Sequence, residues 1–538
     1  MQDFISLGQW WIPSKPEVRI PGTLSFSSDR GARLELMESF YDGSLIEKDI
    51  ASDFILSDQE NSLKEGTREL EFIKPQEIII LGLIENNEEI TLYKCFGQIT
   101  SFDAKSRPTL VFYAEYIFRK IHISNEESIK FKSIAIEYSY FREWVGKSGI
   151  TLYTPYIPRQ KDNQLLISYQ PPENIYLNTI NELDISITFP PIYMNPFDMY
   201  FGAIYYKANI EQKTYLTISN HHNKSIDKCI DLCINFKDFL SFAMSKPTSI
   251  ISVEGKLDIT VPKYINQNDG TYTMNEEVQE QTVIILFGLG GNQSNSEAKL
   301  SVHEMLFTFN DIGDRLGEIF NNWINKQEKY TSVFQLIMTT TYTPNLYINY
   351  DFINIIQALE YYHTVSDRYK DKSKYQKSKI YENGILKQLL EVIEEFSGEN
   401  FDEKSPERSV DETNGISDDF REALKGQVKG LNRVTLQTRL HQIIEDISDL
   451  LPSDFIGDIQ DRQLFASRAS KTRNAWTHHN AKEKEKAAKG KELIQLFHTL
   501  TVILQVCVLR ELNFTDDSIK NLIIRNRNYQ REWRSSSN

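Results

Sequence analysis

An arginine, an asparagine and a histidine stand close together late in this chain, in Arg473-Asn474-Ala475-Trp476-Thr477-His478. Imidazole moves protons near neutral pH. Guanidinium holds a phosphate by two parallel hydrogen bonds and stays charged throughout. An amide can fix the geometry of either neighbour. Together these groups can cleave RNA without a metal. On an ideal helix Asn474 and His478 are four apart and share a face. Arg473 and His478, five apart, lie about 140° around the axis, and an arginine is long enough to reach around. His479 either substitutes for His478 or merely lies beside it. Asn480 suits a helix C-terminus. One chain therefore supplies one Arg and one His at one helix end, whereas phosphodiester cleavage calls for both an acid and a base. Two copies meeting across a dimer axis supply both, which predicts an isologous dimer, or a higher even oligomer, with a composite cleft.

The local charge fits that chemistry. Eight basic residues stand against three acidic ones between Phe465 and Leu493, in a chain whose formal net charge is -15. Such a collar attracts a phosphate backbone. Arg468, Lys471, Lys482 and Lys484 are the expected RNA contacts. The Lys482–Lys491 stretch reads equally as a solvated Lys/Glu helix start. The acidic total argues against a general nucleic-acid coat or a basic membrane binder. No membrane partner is expected.

At 538 residues the chain is too long for one ordinary core, so two or three domains are expected. Four cysteines are too few and scattered for a disulfide framework. Cys229 and Cys233 lie one helical turn apart. His221 and His222 lie upstream, but at no familiar zinc spacing, so two buried thiols are expected. Neither a metal nor a cofactor is implied. Met1-Gln2-Asp3-Phe4 lacks the features of a signal peptide, and a reducing cytoplasm is expected. The apolar run Leu493–Leu512 contains Gln495, His498 and Gln505, and reads as a buried helix rather than a membrane span.

The elements that must position the hexapeptide divide the chain into an α+β multidomain arrangement. Residues 1–320 read as β-rich, with a sub-boundary near 150 as one option. Ile20–Phe26 reads as a turn followed by a strand, and Gly31–Leu36 as a strand. Ile78–Ile84 and Ile90–Phe96 read as strands joined by a polar hairpin at Glu85–Glu88. Leu183–Phe189, Thr214–Ile218 and Val283–Phe287 read as further strands, and Ile226–Met244 as a helix. The glycine-rich Gly288-Leu289-Gly290-Gly291-Asn292 lacks the Walker lysine and the G-x-G-x-x-G order, so it reads as a turn. Residues 321–538 read as an all-α bundle. Phe352, Ile355, Ile356, Leu359 and Tyr362 stripe one helix, and Leu386, Leu389, Leu390 and Ile393 another. Residues 397–419 are polar and acidic, and read as a flexible loop. A helix carrying Leu436, Leu440, Ile443, Ile444 and Ile447 is capped by Thr435 and stopped by Pro452. A helix with Leu464, Phe465 and Trp476 follows, Trp476 serving as packing.

Arg473-Asn474-x-x-x-His478, late in a helical C-terminal domain, resembles the R-x4-6-H signature of HEPN ribonucleases. Ile356-Gln357-Ala358-Leu359-Glu360-Tyr361-Tyr362-His363 resembles the first helix of the ApeA-like HEPN group. Gly8-Gln9-Trp10-Trp11-Ile12-Pro13, Pro21-Gly22-Thr23-Leu24, Ile80-Leu81-Gly82, Thr91-Leu92-Tyr93 and Phe141-Arg142-Glu143-Trp144 resemble the ApeA N-terminal domain. The resemblance spans most of the chain. It implies a bacterial antiphage, abortive-infection protein. HEPN ribonucleases act without a metal, commonly as dimers, through attack of the ribose 2′-hydroxyl. The implied target is tRNA, in its anticodon loop. Carried over, Arg473 binds the scissile phosphate, His478 is the general acid or base, and Asn474 orients them. Glu360 and His363 are accessory candidates, with a satisfied core histidine as the plainer reading of His363. The expected function is thus an endoribonuclease restrained by its N-terminal region until a phage-derived trigger arrives. The alternative is a non-catalytic dimerisation or nucleotide-binding module whose N-terminal domain senses a phage component.

Overall fold

The structure is a computed structural model. It describes residues 1–38, 40, 78–99, 110–153, 166–191, 211–221, 224–266, 272–289, 300–343, 347–396, 417–453, 455–477, 485 and 487–530. The chain forms two compact units. One comprises residues 1–302 with 307–318, the other 303–306 with 319–538. The expected boundary at 320/321 falls inside the helix Leu316–Lys326.

Six strands of the first unit close on themselves. They are β1 (Phe4–Trp11), β2 (Ile20–Ser27), β3 (Gly31–Leu36), β4 (Ile78–Ile84), β5 (Glu88–Ile99) and β6 (Leu110–Arg119). The ring runs β6–β3–β2–β1–β4–β5 and back to β6, antiparallel throughout. Closure leaves no free edge. Period-two alternation fills the inside: Ala32, Leu34 and Leu36 of β3 are buried while Arg33 and Glu35 point outward. Trp10 lies at the centre with Leu24, Leu34, Ile80, Leu92 and Phe112. It pairs in register with Gly82, and its indole donates to Gly22 O at 3.3 Å. A Cβ on Gly82 would lie 2.2 Å from the Trp10 ring, so only glycine fits there. The β4–β5 hairpin turns through Asn86 and Asn87 at φ of 60° and 55°, a conformation asparagine tolerates.

β6 then links two layers. Leu110–Ala114 pair with β3, while Tyr116–Arg119 pair along the same edge with β14 (Tyr272–Phe287). Beyond β14 lie β13 (Ile250–Asn266), β7 (Ser133–Tyr138), β12 (Tyr215–Ser219), β11 (Leu183–Thr188) and β10 (Ile175–Ile180). The hydrogen-bonded sheet therefore runs across residue 150, and the sub-boundary considered there is not a division of the fold. β8 (Ile150–Tyr153) and β9 (Leu166–Tyr169) form a separate hairpin. The short helix α1 (Phe141–Val145) buries Trp144, whose indole donates to Phe307 O at 2.9 Å. Helix α2 (Ile226–Met244) has the span its periodicity predicts, and Tyr138 of β7 donates to Cys233 O at 2.9 Å. Cys229 and Cys233 are both buried free thiols. Burial pushes the Cys229 thiol up to about 11. Of the histidines upstream, His221 is exposed, 3.6 Å from Asp184, and His222 lies outside the described residues. Of the glycine-rich run, Leu289 donates its N–H to Ser28 O, and residues 290–292 lie outside the described residues.

The second unit is helical. Its elements are α3 (Leu316–Lys326, begun in the first unit), α4 (Thr331–Tyr342), α5 (Ile348–Val365), α6 (Leu386–Glu395), α7 (Asp418–Gly430), α8 (Leu436–Ile447), α9 (Ile459–Thr477), α10 (Lys491–Glu511) and α11 (Asp516–Arg525). The expected stripe on α5 is buried as predicted. α10 is long and apolar enough to cross a membrane by length and composition. Here Leu500, Ile503, Leu504 and Cys507 are buried in the bundle. Two carboxylates tie the helices together. Glu511 of α10 accepts from Lys326 at 3.0 Å and from Tyr362 at 3.1 Å. Asp446 of α8 accepts from Tyr369 at 3.1 Å and Arg510 at 2.9 Å. Thr435 caps α8 by accepting from Thr438 N, and a 3-10 turn over Ser448–Leu450 precedes Pro452.

Most of the predicted loop at 397–419 lies outside the described residues, but its last residues are helical. The Ser417 side chain accepts from Phe420 N, and Asp418 and Asp419 form the first turn of α7. Acidic side chains favour a helix N-terminus, so the charge that reads as loop is also a helix start. Phe420, Leu424 and Val428 fall at four-residue spacing on α7. Gly426 and the surrounding charges obscure that stripe.

Candidate active site

Helix α9 carries the arginine and asparagine of the opening motif, and its start is firmly set. Asp461 N donates to the Asp458 carboxylate at 3.0 Å, and Asp458 N to Asp461 at 3.2 Å, a reciprocal cap. Gly457 just before it has φ of 84°. The buried face of α9 is made of small residues, namely Ala466, Ala469, Ser470, Thr472 and Ala475. Small side chains let α9 approach its neighbours closely. Arg462 fixes it to α8 through Glu445 at 3.2 Å. Thr472 accepts from Ala488 N at 3.1 Å, which brings the chain back to α9 after the motif.

At the last turn of α9, Arg473 is 30% exposed and held at two points. Its Nη1 donates to Asn474 Oδ1 at 3.2 Å, and its Nη2 to Glu360 Oε2 of α5 at 3.4 Å. Asn474 is thus placed to orient the arginine, and Glu360 reaches the same spot from the first motif helix. A guanidinium has five N–H donors, and three of them make no hydrogen bond among the described residues and can meet an anion. Thr477 closes the helix by donating to Arg473 O at 3.1 Å. His478 and His479, the next two residues, lie outside the described residues, as do Lys482 and Lys484.

The other predicted residues fall into separate places. His363 is fully buried. Its Nε2 lies 2.7 Å from Gln442 Oε1 of α8, and its ring stacks on Tyr369 with centroids 4.5 Å apart. Burial pushes its imidazole down to about 4, so it is neutral at pH 7. It is a core histidine that shares the α8-facing side of α5 with Glu360, and among the described residues it makes no contact with Arg473. Arg468 pairs bidentately with Glu492 of α10, at 2.6 and 2.7 Å, so its fork is already filled. Lys471 is exposed and makes no ion pair among the described residues. Trp476 is partly buried, as packing requires.

One residue of the site went unread in the sequence. Arg439 of α8 lies 3.8 Å from Glu360 Oε1, through Nη1. The same nitrogen donates to Thr364 Oγ1 at 2.6 Å, and Nε donates to Val434 O at 3.1 Å. Its only sequence signal is a three-residue spacing from Gln442, which puts both on the face of α8 that meets α5.

A β-rich unit built on a closed barrel, followed by a helical bundle with an Arg-Asn pair ending α9, defines a two-part protein of the HEPN type. The family profile for ApeA N-terminal domain 1 matches residues 6–323, and that for the Apea-like HEPN domain matches residues 353–518. The chain belongs to the ApeA-like HEPN family and is a HEPN-type antiphage protein. No curated protein and no solved structure matches it.

Proposed function

We propose that this chain is a metal-independent endoribonuclease that cuts RNA during antiphage abortive infection in the bacterial cytoplasm. Its target is tRNA, at the anticodon loop. The ribose 2′-hydroxyl attacks the adjacent phosphorus, the bond to the 5′-oxygen breaks, and a 2′,3′-cyclic phosphate and a 5′-hydroxyl remain. Arg473 holds the scissile phosphate and stabilises the charge that develops on it. His478 moves a proton as general acid or base. Asn474 fixes Arg473. A second copy of the chain supplies the complementary acid or base in a homodimer. The N-terminal region restrains the site until a phage-derived trigger arrives.

The observation that carries this reading is the Arg473 guanidinium, tethered by Asn474 and Glu360, with three donors unbonded among the described residues. The family match adds to it. The test uses the full-length protein with total tRNA and EDTA, with and without extract of phage-infected cells. Cleavage with cyclic-phosphate ends is expected, and its loss in Arg473→Ala and in His478→Ala. Undiminished cleavage by both variants would overturn the proposal.

A further inference from the structure

We propose that Arg439 is a positioning residue: it supplies the counter-charge that lets Glu360 hold Arg473 without cancelling its pull on a phosphate. This rests on the endoribonuclease reading, because it concerns the same arginine.

The geometry is a carboxylate between two guanidinium groups. Glu360 Oε2 lies 3.4 Å from Arg473 Nη2, and Oε1 lies 3.8 Å from Arg439 Nη1. The two arginines are not equivalent. The Arg439 side chain is 12% exposed, against 30% for Arg473. Arg439 is also fixed by Val434 O and Thr364 Oγ1. It is therefore poorly placed to touch a substrate, and Arg473 is well placed.

The charge count explains why a second arginine is needed. Glu360 and Arg473 alone form a neutral pair. A carboxylate 3.4 Å from the phosphate-binding group would repel the incoming anion and compete with it for N–H donors. With Arg439 on the far oxygen, the cluster carries a net charge of +1, and the exposed end is no longer part of a neutral pair. Glu360 then aims the guanidinium while Arg439 absorbs the electrostatic cost. Among the described residues Arg439 makes no ion pair with any other carboxylate, and its charge also disfavours a proton on the buried His363 nearby.

The test measures RNA affinity in the His478→Ala background, so that binding is read whether or not cleavage occurs. The probe is a fluorescent RNA hairpin bound to full-length protein across a salt series. Arg439→Gln is expected to weaken binding about tenfold at low salt, the order expected for one nearby charge. The slope of log affinity against log salt should fall by about 0.7–0.9, the value of one lost phosphate neutralisation. Glu360→Gln should tighten binding less than threefold with Arg439 present, but about tenfold in the Arg439→Gln background. Arg439→Lys should keep the parental affinity. Equal effects of Glu360→Gln in both backgrounds, or unchanged affinity in Arg439→Gln, would overturn the inference. A purely structural role for Arg439 predicts a lowered Tm and no rescue by Glu360→Gln, which also overturns it. If the affinities behave as expected while the parent protein cuts no RNA, the endoribonuclease reading fails and the role of Arg439 stands.

Discussion

Each unit holds a cluster of opposite charges, and the two are built to opposite ends. In the first unit, Lys94 lies 2.8 Å from both oxygens of Asp227 and 3.4 Å from Glu115. Tyr116 donates to the same Asp227 at 2.8 Å. One cation faces two carboxylates over short distances, and Lys94 adopts a φ of 54° within its strand to do so. Asp227 opens helix α2, so the cluster pins that helix to the barrel. In the second unit two cations face one carboxylate over 3.4 and 3.8 Å, and the exposed guanidinium keeps spare donors. A cluster that satisfies itself is a fastening. The first cluster carries a net −1 but spends its donors on short bonds, whereas a cluster with a positive surplus and unused donors at its rim suits an anion.

The sharpest way to break that contrast is to remove one cation from each cluster. Arg473→Ala is expected to lower RNA cleavage about 10²–10³-fold, the usual cost of losing a transition-state charge stabiliser. His478→Ala should cost about 10²–10⁴-fold. Neither should change the Tm measurably. Lys94→Met should leave cleavage within twofold and lower the melting temperature of its unit. Cleavage assays and calorimetry on the three full-length variants decide this. Loss of cleavage in Lys94→Met without unfolding would put the first cluster in the chemistry and end the contrast.

The two units also differ in how much of them is legible in the sequence. Gly8, Trp10, Gly22 and Gly82 stand out as residue types, and the strand registers bring them together around Trp10. Strands with one wet face, such as β3, announce themselves by alternation. β6 does not, because it pairs along both edges and is buried for most of its length. In the helical unit the apolar stripes of α5, α8 and α10 are legible, since a buried helix face must repeat at three and four residues. The Glu360–Arg473 contact is not, since 113 residues separate the two and only tertiary packing joins them. Arg439 is less legible still, because an arginine on a surface helix looks the same whether it faces water or a carboxylate.

A second way to sharpen the contrast lies beside the open cluster. His363, three residues from Glu360, is buried and neutral, with its imidazole pushed down to about 4. The unfolded chain binds a proton near pH 6.5, whereas the folded one resists it until about pH 4. Stability should therefore fall as pH drops through that window, by about 2–3 kcal/mol by pH 4. His363→Gln retains a partner for Gln442 but cannot titrate. Urea melts at pH 7 and pH 4.5 should show a smaller drop for the variant than for the parent. An equal drop in both would mean that His363 is not sealed from water, and that it is available to the site after all.

In the closed cluster the expected effect is smaller. Lys94 and Tyr116 hold the Asp227 carboxyl below its ordinary range, although burial alone would raise it. Its contribution is present above the ordinary carboxylate pKa and is lost as pH falls through the lowered value. The Asp227 side chain is 37% exposed, so solvent screening limits that contribution to about 1 kcal/mol at pH 7. Asp227→Asn should cost about that much in a chemical-denaturation midpoint, and nothing in RNA cleavage. A loss above about 3 kcal/mol would mark the cluster as effectively dry, a stronger fastening than its exposure suggests.

The smallest effect is expected where sequence and structure pull apart most, at Arg468. Its position beside the motif suggests an RNA contact, but its guanidinium is closed bidentately on Glu492. That pair joins α9 to α10 across the segment that carries His478, and both side chains are more than a third exposed. Arg468→Ala should therefore cost less than about 1 kcal/mol of stability and weaken RNA binding less than the change of its exposed neighbour, Lys471→Ala. Glu492→Gln provides the control. If Arg468 is only a fastening, releasing it leaves RNA affinity unchanged. If Glu492→Gln tightens RNA binding while Arg468→Ala loosens it, the pair opens to receive RNA. The boundary between self-satisfied and ligand-ready clusters would then run through the side chains of α9 itself, rather than between the two units.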